Sequence, residues 1–422
     1  MQKLKPVHLT EDWTVVVLGF IIIILSAFGF IMSAPAFDWK NSSDLLTGVL
    51  SIDNLIRILS QFLYTFIIAI TGNYLTGKPV KHILKGFPVL YLLTIPAFIL
   101  GGNSTIQLLN LATVIFCLAF GLIIRNFFTL PEWLTSSLSS EFFVKIGLIL
   151  LGTNVIFSDI LKAGSLGLIQ ALVVVLSVWY FSFWLCKKLK VDKELSMMLS
   201  SAVSICGVSA AIATSGAIKG DTKKLSLVVS LVLITAVPMM IIMPWIAKTF
   251  GFSQEVTGAW LGGTIDTTGA VAASGTLVGE TALKISTIVK FSQNVLLGIA
   301  AFAISVYWTY SKTTSEHAIA EKPTLKIIWE RFPKFVIGFV AASLIFSFFI
   351  SADTIALVKS PLKNLQALWF ALAFTSIGLE TNFKDLVGVH NRKPVIAFLI
   401  AQLFNVFITL IIAWLLFNDN SL

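Results

Sequence analysis

Ten stretches of this chain are apolar for long enough to cross a lipid bilayer as helices, which takes about 20 residues each. They lie at 14–34, 55–77, 106–127, 142–158, 166–186, 225–249, 282–310, 332–350, 364–380 and 395–417, and a shorter run at 86–101 is an eleventh candidate. Hydrophobic residues make up 57% of the 422 and charged residues 12%, against about a quarter charged in soluble domains. Strand-type alternation is absent from these runs. Helices are then the way to satisfy backbone polar groups in lipid. The expected fold is an all-α polytopic membrane protein with about eleven spanning helices.

The remaining composition narrows the function. A net charge of +9 in so apolar a chain reads as cytoplasmic loops biased toward Lys and Arg, not as a nucleic-acid surface. Cys117, Cys186 and Cys206 fall in or beside apolar runs without metal-ligand or redox spacing. The four histidines, His8, His82, His317 and His390, lie in loops or tails, and no HExxH, Walker or GxSxG pattern occurs. An enzyme is not expected, and no stretch is long enough for a nucleotide-driven motor domain. The 14–34 run is too long for a signal peptide and follows Glu11 and Asp12, so it is expected to stay as the first helix.

Basic residues thread the chain through the membrane. Lys3 and Lys5, Lys78, Lys81 and Lys85, Lys187, Lys188 and Lys190, the segment 312–334, and Lys384, Arg392 and Lys393 are placed inside. The N-terminus is then inside and the C-terminus outside. Between 191 and 281 the walk meets a repeat: AIATSGAIKGDT at 211–222 and AVAASGTLVGET at 270–281 share six of twelve positions at a shift of 59 residues (270 − 211). Lys187, Lys188 and Lys190 precede the first copy and Lys219, Lys223 and Lys224 follow it, so both ends favour the cytoplasm. The same walk leaves both ends of the second copy outside. Two re-entrant hairpins entering from opposite faces satisfy this pattern, and broken helices that cross fully are the competing geometry. A fainter repeat pairs LGTNVIFSDIL at 151–161 with IGLETNFKDLV at 377–387, sharing Gly152/Gly378, Phe157/Phe383 and Asp159/Asp385.

Irregular polar backbone at membrane depth is tolerated where it is buried in protein or lines a cavity, so a duplicated polar tip implies a site. The first tip, 204–211, offers Ser204, Cys206, Gly207 and Ser209; the second, 262–274, offers Gly262, Gly263, Thr264, Asp266, Thr267, Thr268 and Gly269. An ionisable residue in such a place is costly and therefore a functional candidate, which singles out Asp266 for a proton or Na⁺. Downstream, Lys290, Gln293 and Asn294 share one helical face and suit an anionic substrate. Glu380, with Thr381 and Asn382 after it, is a second acid for cation coupling or a helix cap. Arg125 and Asn126 close their helix at an interface.

SICGVSAA, GGTIDTTGAVAASG and TIVKFSQNVLL, in this order, resemble the YeiH-type family of bacterial inner-membrane proteins, a group that carries the label of sulfate exporters. The likeness runs from about residue 105 to 305. It implies a multi-pass secondary transporter distantly related to the bile-acid, arsenite and riboflavin transporters. The chain departs from the family pattern where Asp266 and Thr267 replace a His-Asp/Glu pair, Ala270 replaces a Gln, and Gln293 replaces an Arg. Loss of that cation argues against sulfate in particular. The expected organisation is N-terminal helices over 1–104, a first repeat half over 105–249 and a second over 250–422. The expected function is secondary transport of a small inorganic or organic anion, coupled to Na⁺ or H⁺. Substrate would be held by Cys206, Gly207, Ser209, Thr264, Thr267, Thr268, Lys290, Gln293 and Asn294, with Asp266 and Glu380 coupling the cation. An anion channel and a membrane sensor or scaffold are the alternatives. No cofactor beyond the coupling ion is expected. The partners are the bilayer and the substrate, with a homodimer left open.

Overall fold

A computed structural model describes residues 8–30, 32–108, 113–312, 326–382 and 392–418. Lys3, Lys5, His317, Phe383, Lys384, Asp385 and His390 lie outside the described residues. Within them the regular secondary structure is helical, apart from one isolated bridge between Trp39 and Asn103. The main helices are α1 Glu11–Ala27, α2 Ile52–Leu75, α3 Val80–Gly101, α4 Thr113–Phe127, α5 Ser140–Gly152, α6 Phe157–Lys188, α7 Lys193–Ser201, α8 Val208–Ile218, α9 Thr222–Thr249, α10 Gln254–Thr264, α11 Thr268–Val278, α12 Glu280–Lys312, α13 Lys334–Phe348, α14 Ala352–Glu380 and α15 Arg392–Phe417. Each apolar run overlaps at least one of them; residues 109–112 of the run 106–127 lie outside the described residues, and the run 142–158 is divided between α5 and α6. Seven helical stretches among the described residues are long and apolar enough to span a bilayer, and the protein is an all-α, multi-pass membrane protein.

Two runs differ from expectation. The first helix stops at Ala27, with Gly29 beyond it at φ +92°, short of residue 34. The weakest run, 86–101, belongs to a full helix of 22 residues that carries Pro88 and Pro96 inside it; neighbouring helices commonly make such prolines tolerable in membrane proteins.

The chain forms two compact units that interleave along the sequence: residues 1–157 with 334–382, and 158–333 with 383–422. This division follows packing, whereas the expected one followed chain order. In the first unit α14 packs on α4 and α5, and α5 packs on α1 and α13. α4 and α14 approach at Gly121 and Gly378, where a Cβ on either glycine would strike the other helix's backbone. α5 and α14 run antiparallel: Ser140 at the start of α5 meets Glu380 at the end of α14, while Asn154 beyond α5 donates to Gln366 in α14 at 3.3 Å. Residues 151–154 and 377–382 of the fainter repeat therefore lie at the ends of two antiparallel partners, and residues 157–161 open α6.

The second unit holds the stronger repeat. α7 and α8 are joined by one wide helical turn, Ala202–Cys206, and by Gly207. Asp192 caps α7 by accepting from Leu195 N–H, and Lys224 at the start of α9 donates to Asp192 at 2.7 Å and Glu194 at 3.1 Å. Residues 192 to 224 thus leave and return to one place. The other copy does the same. Ser253 caps α10, the helix breaks over residues 265–267, Thr267 caps α11, and Ala282 N–H at the start of α12 donates to the side chain of Gln254 at 3.3 Å. Each excursion closes on itself.

Candidate functional site

The tips of the two excursions touch. Gly207 sits at φ +58° and ψ −112°, a conformation an L side chain rarely adopts. A Cβ there would come within 2.6 Å of Val232 and 3.0 Å of the Cβ of Asp266. The first tip thus needs glycine both for its backbone turn and for the space that Asp266 takes up.

A helix that breaks leaves its last carbonyls without intrahelical partners, and burying them requires donors from elsewhere. Two helices supply these donors. From α12, the Lys290 ammonium donates to Ile205 C=O at 2.7 Å and to Gln293 Oε1 at 3.0 Å; the Gln293 amide donates to Gly263 C=O at 2.9 Å and, at the longer 3.5 Å, to Ser204 C=O. From α15, Asn405 Nδ2 spans both tips, donating to Val203 C=O at 3.0 Å and Thr264 C=O at 3.2 Å. Gln402 Nε2 also reaches Thr264 C=O at 3.1 Å. The Thr409 hydroxyl donates to Asn405 Oδ1 at 2.8 Å, which turns the amide nitrogen toward the carbonyls. A third helix, α6, sends Gln170 to Ala259 C=O at 2.7 Å, under Gly263. Lys290 is 1% exposed, and a cation at the carbonyl end of a broken helix is favoured by the aligned peptide dipoles.

Asp266 is 1% exposed, with Lys290 and Gln402 within electrostatic reach. Its Oδ2 has no hydrogen-bond partner among the described residues, and the same holds for Thr264 Oγ1, Gln402 Oε1 and Asn294 Oδ1. Thr268 accepts a long bond of 3.4 Å from Asn294. Both tips, their donors and these open oxygens belong to the second unit.

The predicted residues divide accordingly. Cys206, Gly207, Thr264, Asp266, Thr268, Lys290, Gln293 and Asn294 come together at or beside the breaks. Thr267 lies beside them, but its hydroxyl accepts Ala270 N–H at 3.3 Å as a helix cap. Ser209 is exposed and has no part in this buried network among the described contacts. Glu380 belongs to the other unit, where its oxygens accept the Ser140 N–H at 3.1 Å and the Ser140 hydroxyl at 2.6 Å. Asn126, also there, donates to Thr381 C=O at 3.1 Å. The glycines of the second tip serve close packing: a Cβ on Gly262 would strike the backbone of Ser286. Gln170, Gln402, Asn405 and Thr409 were absent from the expected set. Gln402, Asn405 and Thr409 carry a readable signal, polar side chains three and four apart on one face of an otherwise apolar helix.

No solved structure matches the chain. Among curated proteins it is 39% identical over 370 residues to a UPF0324 membrane protein of Rhodopirellula baltica, covering 86% of this chain and 68% of that one. It is 37% identical over 362 residues to a UPF0324 membrane protein of Nitratidesulfovibrio vulgaris, covering 82% and 61%. A UPF0324 membrane protein of Nitrosomonas europaea is 27% identical over 90% of both chains. The chain thus spans less than two thirds of the Nitratidesulfovibrio relative's length. The family described as Conserved hypothetical protein 698 matches residues 85–397, which take in both tips and the donors of α6 and α12 and end before Gln402, Asn405 and Thr409. With that span and these relatives, the chain belongs to the Conserved hypothetical protein 698 family, the YeiH-type membrane proteins.

Proposed function

We propose that this protein is a secondary carrier of a small anion in the bacterial inner membrane, with the paired breaks as its binding floor and Asp266 as its coupling residue. One observation carries the reading: two closed excursions meet at their tips and bring a buried carboxylate and a buried ammonium to one place. Charged groups inside a membrane are costly and mark ion or substrate pathways. Helix starts at broken segments are suited to anions, and α8 and α11 both start at these tips. In this reading the excursions are re-entrant hairpins entering from opposite faces. Asn294 and Thr268 supply polar contacts to substrate, and the protein moves its substrate without changing it covalently.

The test is counterflow in proteoliposomes, after a thermal-shift screen of sulfate, sulfonates and carboxylates on purified protein has chosen the substrate. A carrier exchanges labelled for unlabelled substrate faster than it leaks it; flux without counterflow makes the protein a channel. Under an imposed Na⁺ or pH gradient, wild type should concentrate substrate and Asp266→Asn should only equilibrate it. If Asp266→Asn concentrates substrate as wild type does, Asp266 is not the coupling residue.

A further inference from the structure

A free alkali cation between the tips would draw on the backbone oxygens that broken helices turn inward, together with a carboxylate, since hard cations take oxygen ligands. In this protein the backbone oxygens already have partners, and the open oxygens are side-chain ones, Asp266 Oδ2, Thr264 Oγ1, Gln402 Oε1 and Asn294 Oδ1. Val203 and Thr264 C=O accept from Asn405, Ser204 and Gly263 C=O from Gln293, and Ile205 C=O from Lys290. The Lys290 ammonium is itself a monovalent cation on oxygen ligands. It lies 2.7 Å from a backbone carbonyl of the first break and 3.0 Å from the Gln293 side-chain oxygen, with the Asp266 carboxylate of the second break within electrostatic reach. A second positive ion at this point would lack the carbonyls and be repelled by the ammonium.

We propose that Lys290 is the resident cation of the paired breaks, its ammonium holding the place an alkali ion would take, so that the site does not bind Na⁺ and the ion exchanged at Asp266 is a proton. Among the described residues the charged group facing Asp266 is Lys290 from α12, and α15 presents the amide of Gln402; Gly207 of the first tip lies against Asp266, and Val232 of α9 lies against Gly207. A proton on Asp266 turns its unpartnered Oδ2 from an acceptor into a donor, next to Gln402, whose Oε1 also lacks a donor. Proton exchange at Asp266 rests on the carrier reading; the exclusion of Na⁺ does not.

The experiment is thermal unfolding of the purified full chain in NaCl and in choline chloride at equal ionic strength and fixed pH. Wild type should melt at one temperature in both salts. Lys290→Gln removes the resident charge and should gain a Na⁺-dependent rise of about 2 °C or more. Adding Asp266→Asn to that variant should abolish the rise, and Lys290→Arg, which keeps the charge, should remain indifferent. Stabilisation of wild type by Na⁺ overturns the proposal, and so does a folded Lys290→Gln that ignores Na⁺. Should Lys290→Gln not be recovered folded, wild type and Lys290→Arg decide alone: indifference of both upholds the proposal. A wild type that responds to Na⁺ leaves the carrier reading standing, because counterflow, not Na⁺ binding, decides that reading.

Discussion

Asn405 is one side chain holding two helix breaks. Its Nδ2 meets carbonyls of both tips, and Thr409 fixes which way the amide faces. Replacing it with Leu keeps bulk but strands Val203 C=O, while Thr264 C=O retains Gln402. An unsatisfied buried acceptor costs about 1–3 kcal/mol, so Asn405→Leu should lower the melting temperature clearly and Thr409→Val less, since it removes only the orienting bond. Equal melting of all three proteins would show that the cross-tip bonds do not form. The same residue marks the limit of legibility. Lys290, Gln293 and Asn294 stood out because a lysine inside an apolar run demands explanation. Gln402 and Asn405 are neutral and isolated, and their partner carbonyls lie 138 to 202 positions away. Their spacing showed that they share a face; it did not show that broken helices stand opposite.

At the scale of elements, the first unit starts helices with carboxylates borrowed from other helices. Glu380 accepts the Ser140 N–H at the start of α5, and Asp12 accepts the Lys334 N–H at the start of α13 at 2.9 Å while pairing with Lys145 at 3.0 Å. A carboxylate at a helix start satisfies an orphan donor and complements the dipole. Such a role predicts a particular pattern for Glu380. Glu380→Gln keeps an acceptor oxygen and should fold almost normally, whereas Glu380→Ala should lose about 1–2 kcal/mol of stability, read as a lower melting temperature. Substrate accumulation under a gradient should survive in Glu380→Gln. A normally folded Glu380→Gln that no longer concentrates substrate would return this residue to the coupling set. The sequence placed Glu380 at a helix end and left cap and cavity open together; the choice depends on Ser140, 240 positions earlier. The partner of Glu380 in the fainter repeat, Asn154, proved equally non-local, with its bond to Gln366.

For the whole molecule, helix existence was written in the apolar runs, and the lysines carry the proposed course of the chain across the membrane. The runs gave no reason to separate a hairpin from a broken crossing helix, because both are short apolar halves around a polar break. What separates them is where the ends go. Lys224 lies 2.7 Å from Asp192, and Ala282 reaches Gln254, so neither excursion carries the chain away from its starting point. A helix that crossed fully, with about 1.5 Å of rise per residue, would put the ends of each segment far apart, and the closed ends are what support the proposed re-entrant reading. If the lysine bias sets the side, the first excursion opens to the cytoplasm and the second to the periplasm. Single cysteines at Lys219, which is exposed at the end of α8, and at Lys284, on the first turns of α12, read this out directly. The native Cys117, Cys186 and Cys206 are buried and give low background. A membrane-impermeant maleimide applied to intact spheroplasts should label position 284 and spare 219, while inside-out vesicles should reverse the pattern. Labelling of both positions from the same face would leave the tips meeting as the structure has them, but would overturn opposed entry, and with it the reading of the pair as two halves of one alternating-access site.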